Sequence, residues 1–138
     1  MRRLKQTRFL FLTSMILASC QLNLPFNKAS EKLVEVAQSH EIMANEEIVI
    51  GEFQDSSYKV YVNNKAKSDV TVYVVDRNTN LHTQTFLLHP QENATILAAK
   101  FEKVIFQNLS GQPINIEIGL NKDVEGWRTE PAKEYQGE

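Results

Sequence analysis

Hydrophobic and polar residues alternate in a series of short segments between residues 47 and 120. Each segment is rich in Val, Ile, Tyr and Thr, and the segments are separated by Asn, Asp, Gly, Pro and Ser, which turns favour. In the last segment Ile114, Ile116 and Ile118 share one side, while Asn115 and Glu117 share the other, which is the period of a strand with one buried face. The pattern predicts seven strands, at residues 47–53, 58–63, 70–76, 83–88, 94–98, 103–108 and 114–120.

Seven short strands joined by short turns predict an all-β fold, either a small antiparallel sandwich or a small barrel. We favour an immunoglobulin-like sandwich over residues 46–120, although the Cys–Trp–Cys set of antibody domains is missing. The chain has one cysteine, so no disulfide can form within it. Because a domain of ~75 residues without a disulfide is close to the lower limit of independent stability, we expect a further element to pack on the sheets. Oligomerisation is the alternative.

A short N-terminal helix is the element expected to do this. In segment 30–43, Ser30 suits the N-cap and Glu31 lies near the positive end of the helix dipole. The positions that recur at helical spacing are Leu33, Val36, Ala37 and His40. The helix is therefore predicted to cover a face or an edge of the sheet.

The segment at residues 121–138 is polar and charged, with Trp127 and Tyr135 as its large aromatic residues. Disorder concentrates at chain ends, so we expect a mostly disordered tail with Trp127 folded back on the domain. The alternative is a docking peptide for a partner, with Trp127 as a candidate contact.

The first residues of the chain have the features of an export signal. A basic start, with Arg2, Arg3, Lys5 and Arg8, precedes an apolar run at residues 9–17 and then small residues. This order is the signature of a secretory signal peptide. The run is shorter than the ~20 residues that a membrane-spanning helix needs.

The apolar run ends in Leu17-Ala18-Ser19-Cys20, which resembles the lipobox of bacterial lipoproteins. The resemblance implies that residues 1–19 are removed, that Cys20 carries a diacylglyceryl group, and that residues 20–45 hold a lipidated tether and the short helix. Two or three acyl chains give a stable anchor, whereas one holds only marginally. The resemblance places the protein in the bacterial cell envelope, and Gln21 in place of Asp favours the outer membrane if the source is Gram-negative.

Charge changes once the signal is set aside. Four of the 15 basic residues precede Cys20, which leaves 11 basic against 17 acidic residues and a net charge of about −6. A negative domain argues against nucleic acid as a partner and against polybasic attachment to anionic lipids. The membrane contact is therefore expected to be made through the lipid on Cys20.

No set of residues points to catalysis, to a metal or to a cofactor. The three histidines, His40, His82 and His89, lack the spacing of zinc ligands. A Gly-x-Ser-x-Gly elbow and a glycine-rich phosphate loop are both missing from the sequence. We therefore expect a protein that is not an enzyme.

Two tyrosines are the candidate binding residues of the sheet. If strands 58–63 and 70–76 pair as a hairpin with their valines inward, Tyr61 and Tyr73 lie on one outer face. Exposed aromatic rings can stack on sugars or anchor a protein partner. Alternatively, the two rings form a structural cross-strand pair or lie under the N-terminal helix.

Two functions remain open from the sequence. One is a non-enzymatic lipoprotein that binds a protein or cell-wall partner in the envelope. The other is a lipoprotein that binds a glycan or small ligand on the Tyr61/Tyr73 face.

Overall fold

The computed structural model describes residues 37–137, which form ten strands and no helix. All seven predicted strands are present, with ends that differ by at most three residues. No helix able to cross a membrane is found in this part of the chain. The strands are β1 (Gln38–Ile42), β2 (Glu46–Ile50), β3 (Tyr58–Asn64), β4 (Val70–Asp76), β5 (Leu81–Leu88), β6 (Asn93–Ala98), β7 (Glu102–Gln107), β8 (Ile114–Leu120), β9 (Arg128–Pro131) and β10 (Gln136–Gly137).

The strands form two sheets around one hydrophobic core. The first sheet has the order β1-β8-β3-β6, and the second has the order β10-β5-β4-β7-β2-β9. Alternate residues of the core strands point inward, as predicted for Ile114, Ile116 and Ile118, which are all buried. The core also contains Tyr58 and Phe106.

The strand order is that of a jelly roll. Strand β1 pairs with β8, β2 with β7, β3 with β6, and β4 with β5, all antiparallel. Two Greek keys folded in this way give the eight-stranded jelly roll. The predicted immunoglobulin-like order is therefore wrong, because that order pairs several consecutive strands, whereas here only β4 and β5 are both consecutive and paired. Periodicity reveals strands and their buried side, but not their neighbours.

The predicted helix at 30–43 is wrong where the structure can test it. Residues Gln38–Ile42 form β1, an edge strand that pairs with β8 from Gln38 opposite Ile118 to Ile42 opposite Ile114. Pairing with the apolar β8 favours an extended conformation over the local helical spacing. Residues 30–36 of the predicted helix lie outside the described residues.

The prediction of a disordered C-terminal tail is also wrong. Residues 128–131 form β9 on the edge of β2, and residues 136–137 form β10 beside β5. The C-terminal strap, as we call residues 128–137, thus runs from one edge of the second sheet to the other. The polar composition of this segment did not predict its strands, because the segment contacts the sheet through its backbone and a few side chains.

Candidate functional site

Tyr61 and Tyr73, predicted to share an outer face, lie on different sheets. Tyr61 is on β3 of the first sheet, and Tyr73 is on β4 of the second. The predicted hairpin is wrong because loop 65–69 carries the chain from one sheet to the other. Both side chains point away from the core, but they form no common binding surface.

Each tyrosine has its own surroundings. Tyr61 lies opposite Thr95 and Gly119 and borders a shallow pocket of about 320 Å³. The ring of Tyr73 lies 5.1 Å from the ring of Tyr135 and 5.5 Å from that of His82, measured between centroids. Tyr73 is therefore part of the packing under the C-terminal strap.

Trp127 does fold back on the domain, as expected. Its ring lies 5.3 Å from the ring of His40 on β1, and 37% of the residue is exposed. Trp127 directly precedes β9 of the second sheet, and its contact with His40 joins this segment to β1 of the first sheet. Cys20, the predicted lipidation site, lies outside the described residues.

The C-terminal strap covers a buried carboxyl group that the sequence did not single out. Glu47 on β2 is fully buried and points to the outer side of the second sheet. It accepts hydrogen bonds from the Tyr135 hydroxyl, from Gln107 Nε2 at 2.8 Å and from the backbone N–H of Lys133 at 3.1 Å. Burial, and then the bond to Glu47, raise the pKa of Tyr135 above its usual value, so its hydroxyl keeps the proton that it donates.

Four loops meet at one end of the sandwich, which we call the Phe53 end: 51–57, 77–80, 99–101 and 121–127. Backbone bonds join them, from Glu52 N to Gly126 O at 3.3 Å and from Arg77 N to Phe101 O at 2.9 Å. Three aromatic residues of this end are exposed to solvent, Phe53 by 71%, Phe101 by 41% and Trp127 by 37%. A large apolar side chain held in water is informative when its setting is built to hold it there.

The backbone on both sides of Phe53 is fixed by hydrogen bonds. The N–H of Phe53 donates to Glu125 O at 3.4 Å, and the N–H of Gln54 donates to Gly51 O at 3.2 Å. The Arg77 guanidinium donates to the carbonyls on either side of Phe53, that of Glu52 at 2.5 Å and that of Gln54. Phe53 is thus exposed on a clamped loop rather than on a loose one.

Arg77 also connects this loop to Phe101. Its guanidinium carbon lies 5.5 Å from the centre of the Phe101 ring, and Lys100 Nζ lies 4.6 Å from the same centre. Both distances fall within cation–π range. Phe101 has a φ of 68°, a left-handed conformation that bulky residues rarely adopt. The surrounding contacts therefore hold a second aromatic ring at this end in an unfavourable backbone geometry.

Two glycines make the close approach of these loops possible. Gly51 has a φ of 86°, and a Cβ there would lie 2.0 Å from the Tyr58 hydroxyl. Gly126 has a φ of 85°, and a Cβ there would lie 2.7 Å from the backbone nitrogen of Phe53. Gly51 is the signal that sequence reasoning missed, since it ends β2 before Phe53, which had been assigned to strand 47–53.

The Phe53 end has features that suit a binding surface. Exposed aromatic rings on a fixed backbone supply contact area with little loss of conformational entropy. No group of three or more His, Cys, Asp or Glu residues that could hold a metal ion occurs within residues 37–137.

Fold and site together define a small jelly-roll sandwich that presents a rigid aromatic loop at one end. A comparison of the chain with protein-family models, with curated proteins and with solved structures finds no match in any of the three. Because a fold alone does not specify a function, the function is argued from the site.

Proposed function

We propose that this protein is a lipid-anchored lipoprotein of the bacterial envelope, and that it acts by binding a protein partner at the Phe53 end rather than by catalysis. The observation that carries the proposal is the exposed Phe53 side chain on a fixed backbone. Hydrogen bonds hold the N–H of Phe53 and the N–H and C=O groups of Glu52 and Gln54. The lipobox at Leu17–Cys20 supports the anchor.

Energetics favour a binding role for such a residue. Burial of an apolar side chain contributes ~1.5–3 kcal/mol, and a partner that covers Phe53 gains most of this because so little of the ring is buried now. Ordering an interface side chain or loop costs ~0.5–1.5 kcal/mol per flexible group. The bonds around Phe53 remove most of the backbone share of that cost before the partner arrives.

Strand β1 shows at which end of the domain the described chain begins. Gln38 pairs with Ile118, close to loop 121–127, so β1 begins at the Phe53 end. Cys20 precedes Ala37 by 17 residues, a length that spans at most ~60 Å when fully extended. The described residues therefore begin at the proposed docking end, and Cys20 precedes them by no more than this length of chain.

The anchor is tested with Cys20→Ala. This change should abolish incorporation of radiolabelled palmitate and release or mislocalise the protein. Retained labelling would contradict the anchor without bearing on the docking end.

The docking end is tested with a photo-crosslinking amino acid at position 53 in the native host. A second protein carries the same group at Leu109, which is 59% exposed in loop 108–113 at the opposite end. We expect one discrete protein adduct from position 53 and none from position 109. Equal labelling from both positions, or adducts to lipid alone, would refute a protein partner at the Phe53 end.

A further inference from the structure

The four edges of the two sheets differ in how they are protected. In the second sheet β9 pairs with β2 and β10 pairs with β5, so the C-terminal strap caps both edges with strands of four and two residues. Very short edge strands are one way in which proteins avoid pairing with other chains. The strap edge β9 also carries Arg128 and Glu130 and ends at Pro131.

The first sheet has edges β1 and β6, and they are unlike each other. Strand β1 has the charged Glu41 in its five residues and lies beside Trp127 through His40. Strand β6 pairs with β3, and no other described strand pairs with its outer side. It spans six residues, a common strand length.

The sequence of β6 lacks two usual edge defences, charge and proline. Asn93–Ala98 reads NATILA, with no charge and no proline. Leu97 is 59% exposed and Thr95 is exposed beside it on the outer face. An uncharged edge strand with exposed apolar side chains is a template for pairing with another strand.

Charges at the two ends of β6 suit a second copy of the same strand. Glu92 directly precedes β6, and Lys100 follows it by two residues. In an antiparallel pair of identical strands, the start of each strand lies beside the end of the other. With Ile96 on the two-fold axis, Glu92 of one copy lies opposite Lys100 of the other at both ends, and Thr95 lies opposite Leu97.

We propose that two copies of this chain associate by antiparallel pairing of β6 with β6, which joins the two four-stranded sheets into one eight-stranded sheet. A two-fold interface of this kind is self-complementary and closed, so it ends at a dimer. The inference does not depend on the lipid anchor or on the Phe53 end.

The test is a charge swap, read by sedimentation of the purified full chain in detergent over a range of concentrations. Glu92→Lys places like charges at both ends of the pair, and Lys100→Glu does the same with the opposite sign. We expect each single change to weaken dimerisation about tenfold, in line with surface ion pairs worth up to ~1 kcal/mol each. The double variant restores both opposite-charge pairs and should return to within about threefold of the original affinity.

Two controls separate pairing from folding and from net charge. Asp123→Lys changes the net charge as Glu92→Lys does, but in a loop at the Phe53 end, so dimerisation should persist. Leu97→Lys puts two like charges near the axis and should leave only monomer, with the unfolding midpoint that the wild-type chain shows at concentrations too low for dimerisation. Amide exchange should show protection of residues 93–98 that rises with protein concentration. A monomeric wild-type chain at all concentrations, or a double variant no better than the single ones, would overturn the proposal.

Discussion

The outer faces of the two sheets are built differently, although both back the same core. On the second sheet Val49, Val75 and Ile105 form a separate buried cluster, with Tyr73 and Tyr135 packed against it. On the first sheet most outward positions are polar, and they remain at least partly exposed: Lys59, Tyr61, Asn63, Thr95, Asn115 and Glu117. The apolar Leu97 on the edge strand β6 is exposed as well. The C-terminal strap therefore gives one sheet a second apolar layer and leaves the other with a single buried face.

The sequences of the strands reflect this difference. Strand β8 alternates buried and exposed residues over Ile114–Ile118, whereas β7 is buried at five successive positions, Lys103–Gln107. A continuous buried run is typical of a strand covered on both faces, and alternation is typical of one with a wet face. The run KVIFQ could thus have predicted that something covers the second sheet.

Removing the cover should have the largest effect on stability. A chain that ends after Pro131 lacks Tyr135 and the Lys133 N–H, so the cluster at Val49 and Ile105 meets water and Glu47 loses two of its donors. We expect the free energy of unfolding to fall by ~3–5 kcal/mol, the range of a large core truncation. Urea denaturation of the two chains measures this. A loss below ~1 kcal/mol would mean that the strap contributes little to stability. The control is Asn115→Ala on the outer face of the first sheet, which should change the free energy of unfolding by less than ~0.5 kcal/mol.

Removal of the Tyr135 hydroxyl should show how much of the lost stability comes from its hydrogen bond to Glu47. Tyr135→Phe keeps the ring over the cluster but removes a hydrogen-bond donor from the buried Glu47 carboxyl. We expect a loss of ~1–3 kcal/mol, because a buried polar group is left with fewer partners. Tyr73→Phe is the matched control, since it alters the neighbouring ring of the same cluster without touching Glu47, and it should change stability by less than ~0.5 kcal/mol. Equal effects of the two changes in urea denaturation would argue against the hydrogen bond.

The parts of the fold that the sequence predicts are those with a local pattern. Seven strands and the buried side of β8 follow from alternation, and the inward valines of β3 and β4 follow in the same way. The order of the strands does not, because loop 65–69 has the composition of a hairpin turn and yet crosses between the sheets. Strands β1, β9 and β10 escape detection because long-range pairing, rather than their own composition, makes them strands.

The candidate site illustrates the same limit. Phe53 looks like the last apolar residue of a strand, and only its three-dimensional neighbours show that it is exposed. Arg77 holds its loop from 24 positions further along the chain. No local pattern connects these two residues, whereas the resemblance to a lipobox rests on four consecutive residues, Leu17 to Cys20.

Acid should weaken the strap more than the open face. The hydrogen bond from Arg128, helped by Lys133, lowers the pKa of Glu130 to about 2. Because the pKa of Glu130 is lower in the folded state, the ionised carboxylate stabilises the fold. This stabilisation is complete above the usual pKa near 4.5 and is lost as the pH falls towards 2. With allowance for solvent screening of these surface groups, we expect a loss of about 1 kcal/mol across this range, absent in Glu130→Gln. Urea denaturation at several pH values measures it.

The control for this prediction lies on the open face. Lys65 and Glu117 form an ion pair at 3.5 Å with both side chains at least 40% exposed. Glu117→Gln should alter the free energy of unfolding by less than ~0.5 kcal/mol at neutral pH. If Glu117→Gln and Glu130→Gln changed the acid dependence equally, the strap pair would have no special role.

The smallest effect is expected where neither face is involved, at the end of the sandwich opposite Phe53. His89 Nδ1 lies 2.9 Å from Asp69 Oδ1, and this hydrogen bond raises the pKa of His89 above 6.5. Because the pKa of His89 is raised in the folded state, its protonation stabilises the fold at a pH below the pKa of the unfolded chain. This stabilisation disappears as the pH rises through the pKa of the folded state. Both groups are exposed, so the effect should be visible in the NMR titration of His89 but not in the unfolding midpoint. Asp69→Asn should return the titration towards 6.5, while Asp55→Asn at the Phe53 end leaves it in place; an unchanged titration in Asp69→Asn would show that the pair does not persist in solution.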